Sequence, residues 1–209
     1  MITPDRQLAE LVIADLRRWD IVIEDSAGKR LSLCPPGRFI SLLCDAVDAN
    51  FAPLRLLSLL KHPYCAGGMN PIQFRHFVDQ IELAALRGPR PGDGLPAIAE
   101  ALNDAELRHF FETHVIANLA ALIDCWQVPN PTLASLSDGI AEAAERLCAT
   151  VMDNNGDGAD RGAGAIELWK GADGMAAGEL FRNIAADGRD STIDASDMPQ
   201  LLRQLPADI

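Results

Sequence analysis

DAELRHFFETHVIANLAALIDCW, residues 104–126, sets Leu107, Phe110, Phe111, His114, Val115, Leu119, Leu122 and Trp126 on one side of a 3.6-residue period. That spacing predicts a long amphipathic helix. Asp104 suits its N-cap, and Pro129 and Pro131 end it. Thr132 then caps a second helix that carries Leu136, Ile140, Ala144, Leu147 and Val151.

The same period extends outward in both directions. Upstream, Leu95, Ile98, Ala99 and Leu102 follow a Gly- and Pro-rich loop over 88–96. Asn70-Pro71-Ile72-Gln73 reads as a helix start, with Asn at the cap and Pro in the first turn. Phe74, Phe77, Val78 and Ile81 form its buried stripe. Leu54 to Leu60 is a shorter apolar helix ending at Lys61-His62-Pro63. Pro35-Pro36-Gly37 opens a helix with Phe39, Leu42, Leu43, Ala46 and Val47 on one face. Leu8, Leu11, Val12, Leu16 and Trp19 mark a first helix, followed by a short strand at Ile21-Val22-Ile23 and a turn at 25–28. Met1-Ile2-Thr3 reads as the end of another strand, which hints that the chain is cut from a longer one. Downstream, 153–164 is a polar, Gly-rich loop, and short helices are expected near 178–186 and 196–205.

The expected fold is therefore mainly α, with a short β segment near the N-terminus. Composition agrees: 48% of residues are hydrophobic but only 5% aromatic, so Leu, Ile, Val and Ala must fill the core. Net charge is −12, carried almost wholly by the second half. Residues 1–110 hold 12 basic and 14 acidic residues, and 111–209 hold 6 and 16. That balance argues against a purely electrostatic nucleic-acid binder, although the first half can still touch DNA locally. Five scattered cysteines lack any CxxC pair, and Cys44, Cys125 and Cys148 fall on apolar helical faces. Without a leader pattern, or an apolar run near the roughly 20 residues of a membrane span, the expected setting is cytoplasmic.

Catalytic constellations are missing from the pattern. His62, His76, His109 and His114 lack metal-ligand spacing, and there is no GxSxG, no GxxxxGK[ST], and no GxGxxG after a strand. Asp153, Asn155, Asp157 and Gly158 match the opening of an EF-hand loop, but its twelfth position is Gly164, so the bidentate carboxylate is lost. The informative segment is 59–70. It combines a helix end, the pair Gly67-Gly68 and the start capped by Asn70. Free amides at such a corner can hold a phosphate, although helix–turn–helix corners are common. Arg87-Gly88-Pro89-Arg90 adds a basic loop.

Ile2-Thr3-Pro4-Asp5-Arg6, Asp25-Ser26-Ala27-Gly28, Leu59-Leu60-Lys61-His62-Pro63, Glu82 to Arg90, and Ala165 to Gly171 with Asp173-Gly174 resemble, in order, the AddB subunit of bacterial AddAB-type helicase–nucleases of the alphaproteobacterial style. The resemblance implies an internal piece. Residues 1–33 would be a strand–helix–strand segment like UvrD motif IV, 34–152 a helical 2B-like domain, and 153–209 a loop and short helices returning towards the motor. Leu8-Ala9-Glu10 stands where the motif IV arginine is expected, so nucleotide sensing would be lost. Tyr64 and Cys65 stand where relatives put basic residues before the turn.

The implied role is non-catalytic scaffolding and DNA guidance in double-strand break resection and recombinational repair, beside an AddA-type helicase subunit. DNA contacts are expected from Lys61, His62, Gly67, Gly68, Asn70, Arg87 and Arg90. ATP, magnesium and an iron–sulfur cluster are expected only in the full complex, with no cofactor in these residues. The alternatives are a free-standing helical protein–protein adaptor and a calcium-binding regulator.

Overall fold

Helices dominate the protein, described here from a computed structural model that covers residues 6–21, 29–89, 91–150 and 166–207. The helices are α1 (Arg6–Arg17), α2 (Pro35–Asp48), α3 (Pro53–Leu60), α4 (Pro71–Ile81), α5 (Gly94–Ala101), α6 (Ala105–Phe110), α7 (Ala117–Trp126), α8 (Leu133–Cys148), α9 (Gly171–Asp187) and α10 (Met198–Gln204). Two π-helical turns, Glu82–Leu86 and Phe111–Ile116, extend α4 and join α6 to α7.

Local signals explain the starts. Asn70 accepts from the amides of Ile72 and Gln73, Asp104 from those of Glu106 and Leu107, and Thr132 from that of Ser135. Each satisfies first-turn donors that a helix cannot pair internally. Prolines occupy the first turns of α2, α3, α4 and α10, where no amide is needed.

The core is a single cluster running from Leu31 to Leu202. Phe39, Ile40, Leu43 and Cys44 of α2 are fully buried, and α2 packs on α3, α8, α9 and α10. Helix α8 lies against both α7 and α9. A methyl at Gly139 would sit 2.5 Å from the Cys125 Sγ, so glycine permits the close α7–α8 approach. Leu168, Ala177, Phe181 and Met198 belong to the same cluster as residues 34–148, so the segments on either side of the expected boundary at 152–153 share one core.

Some elements differ from expectation. The long helix over 104–126 contains the π turn Phe111–Ile116, where Asn118 Nδ2 donates to the His114 carbonyl at 2.8 Å. Helix α9 begins at Gly171 rather than near 178, because its Gly- and Ala-rich first half carries no apolar period. Of the expected strand Ile21-Val22-Ile23, Ile21 is irregular, and the other two residues lie outside those described, as does Met1-Ile2-Thr3. The strand pair present is short: Lys29 and Arg30 run antiparallel to Ala207 and Pro206. None of the described side chains of α1 belongs to the core cluster; Leu11 on it and Trp19 just beyond its end are 68% and 78% exposed.

Candidate functional site

The corner between α3 and α4 holds most of the candidate residues. Gly67 and Gly68 have φ of 56° and 83°, the left-handed region that favours glycine. A Cβ on Gly67 would come within 2.6 Å of the Phe74 ring and 2.8 Å of the His114 carbonyl oxygen. Gly68 faces open space.

The corner's amides are already spent. The N–H groups of Ala66 and Gly67 both donate to Leu147 O at 2.8 Å, and that of Gly68 donates to Ala149 O at 2.7 Å. These acceptors lie at the C-terminal end of α8, where helical carbonyls lack internal partners. The turn therefore caps α8, and a phosphate would have to displace that cap. Gly67 O accepts from His114 Nδ1 at 2.9 Å, so that ring nitrogen carries the proton. Asn118 Nδ2 donates to the same oxygen at 3.4 Å. The other end of α8 is also tied: Leu133 N–H donates to Ser191 O at 2.8 Å, and Ile193 N–H to Pro131 O at 3.1 Å. Asn70, at the start of α4, uses its side chain on its own helix.

The cations meet counter-charges that the sequence reading missed. Lys61 Nζ pairs with Asp79 at 2.9 Å and also with Glu82. Arg87 Nε reaches the other Glu82 oxygen at 2.9 Å. Hydrogen bonds from Lys61 and then Arg87 hold the Glu82 carboxyl below its ordinary range, and the Glu82 and Asp79 contacts raise Lys61. Asp79 and Glu82, three apart on one helical face, were the available signal. Two further cations stand here. Arg75 donates to Lys61 O at 2.5 Å, and Arg38 is exposed, with no ion pair among the described residues. Both lower the proton affinity of His62, after burial, which acts most strongly. His62 packs beside Phe39 and Tyr64, at ring separations of 5.1 and 5.4 Å. Its Nδ1 accepts the Tyr64 N–H at 3.3 Å, so it serves as a neutral packing group. Arg90 and the EF-hand-like stretch lie outside the described residues.

Among the described residues, reactive groups do not converge elsewhere. Burial pushes the thiols of Cys44, Cys65 and Cys148 far up, and that of half-buried Cys125 up as well. Such thiols are poor nucleophiles. The described residues hold no group of three or more His, Cys, Asp or Glu that could bind a metal. Among them no helix is long and apolar enough to cross a membrane. A half-open cavity of about 370 Å³ lies between α8 and α9, with Trp169 and Phe181 as its aromatic walls. Protein-family models, curated proteins and solved structures give no match to this chain.

Proposed function

We propose that this chain is a non-catalytic helical scaffold that guides DNA within an AddB-type helicase–nuclease subunit, in double-strand break resection. One observation carries the DNA contact. Four cations, Arg38, Lys61, Arg75 and Arg87, gather around the α3–α4 corner in a chain of net charge −12, with Asp79 and Glu82 paired to two of them and Glu167 and Asp173 acting on Tyr64 nearby. This clustering of cationic side chains suits a phosphate backbone. Contact is made by side chains, because the glycine amides serve α8. Arg38 is the readiest contributor, since Lys61 and Arg87 must first exchange their carboxylates for phosphate. In this reading ATP, magnesium and the iron–sulfur cluster belong to the rest of the complex, and an AddA-type helicase is the partner.

The test is fluorescence anisotropy of the full chain with a duplex bearing a single-stranded tail, across salt. Each phosphate neutralised contributes about −0.9 to the slope of log K against log salt. Arg38→Ala and Arg87→Ala are each expected to flatten that slope by about one. Binding that ignores salt, or ignores both substitutions, would refute the DNA-guiding role.

A further inference from the structure

The cavity between α8 and α9 is built differently from the corner and lies on the acidic half of the chain. Its floor is made of small residues. Ala141 comes from α8, and Gly174 and Gly178 from α9. A methyl on Gly174 would come within 2.5 Å of the Trp169 backbone, so this helix start requires glycine. A methyl on Gly178 would rest 3.5 Å from the Trp169 ring, an ordinary contact. The Trp169 ring is fixed from the side: its indole N–H donates to Glu145 Oε1 at 2.7 Å, and its centroid lies 6.1 Å from that of Phe181. The result is a preformed apolar slot, open on one side, with a fixed aromatic wall.

Its rim is charged. Asp138 and Glu145 stand on α8 and Arg182 on α9. Among the described residues, Asp138 has no ion pair or side-chain hydrogen bond, and Glu145 commits one oxygen, to the indole. Two carboxylates therefore face one guanidinium, within a half of the chain that carries 16 acidic and 6 basic residues. Such a field favours a cation at the mouth and disfavours an anion.

We propose that this slot receives one bulky apolar side chain of a partner polypeptide, with an adjacent Arg or Lys held by Asp138 and Glu145. The volume of about 370 Å³ has room for one large side chain together with part of its neighbour. The apolar residue supplies the burial, and the rim carboxylates select its neighbour. The side chains that line the slot are not those of the DNA reading, so the two readings can fail separately.

The experiment uses the full chain and three probes: acetyl-Phe-Arg amide, acetyl-Phe-Glu amide and acetyl-Ala-Arg amide. The readout is the indole N–H resonance of Trp169, identified by its loss in Trp169→Phe. Acetyl-Phe-Arg amide is expected to shift that resonance to saturation. The Glu probe, or the pair Asp138→Asn and Glu145→Gln, is expected to weaken binding about fivefold, because exposed charge pairs contribute under about 1 kcal/mol each. Glu145→Gln keeps an acceptor for the indole, so the wall stays in place. The Ala probe should not saturate. Gly178→Leu should fill the slot and abolish the shift while the circular dichroism of the chain is unchanged. Lack of saturation by acetyl-Phe-Arg amide would overturn the proposal. Equal binding of the Glu probe, or undiminished binding to a folded Gly178→Leu chain, would overturn it too.

Discussion

Gly67 and Gly68 stand side by side with positive φ, yet alanine should act very differently at the two positions. At Gly68 a methyl meets nothing within 4 Å, so the cost is the left-handed backbone alone, about 1–2 kcal/mol. At Gly67 the same backbone cost applies, and the methyl must also push aside the Phe74 ring at 2.6 Å and the His114 carbonyl at 2.8 Å. Phe74 is fully buried, so the ring cannot swing into solvent. Overpacking of this kind adds about 1–3 kcal/mol. Displacement of the turn also loosens the donors to Leu147 and Ala149, each contributing about 1 kcal/mol. The expected loss is about 3–5 kcal/mol for Gly67→Ala against about 1–2 kcal/mol for Gly68→Ala. Urea unfolding followed by circular dichroism measures both, with similar m-values expected. Equal losses would refute the reasoning, because the packing of the corner against α4 and α8 would then contribute nothing.

Three more outcomes follow from single contacts. Gly139→Ala should cost about 1–3 kcal/mol by forcing a methyl against Cys125, and Cys125→Ala in the same chain should recover most of that loss in thermal melts. Asn70→Ala removes the acceptor for Ile72 and Gln73 and should lower stability by about 1 kcal/mol in urea titration. Burial, Arg38 and Arg75 depress the folded-state proton affinity of His62, so the unfolded chain binds a proton more readily. That contribution to stability is present above pH 6.5 and is lost as pH falls below it, and His62→Asn should flatten this part of the stability–pH curve.

Helices were legible wherever an apolar period met a cap. Phe74, Val78 and Ile81 with Asn70, and Leu136, Ile140 and Leu147 with Thr132, place α4 and α8 from sequence alone. The first half of α9 was hidden, because Gly174, Ala177 and Gly178 serve close packing rather than an apolar stripe. The glycine corner was legible as a turn but not in its purpose. Its amides seek carbonyls at the far end of α8, and nothing local to 66–68 encodes that partner. The same holds for Lys61. Its basic side chain reads as a phosphate contact until the fold places Asp79 and Glu82 beside it. Arg38 and Arg75 sit in apolar helices, where their convergence on His62 depends on tertiary packing.

Whether the Gly67-Gly68 turn is a latch on α8 or a free anion cradle is read most directly from amide hydrogen exchange at those two glycines, with and without tailed duplex DNA. Both amides should exchange slowly, at rates like those expected for α8 core amides, and DNA should leave their rates unchanged. Fast exchange in the free chain, slowed when DNA is added, would contradict the account.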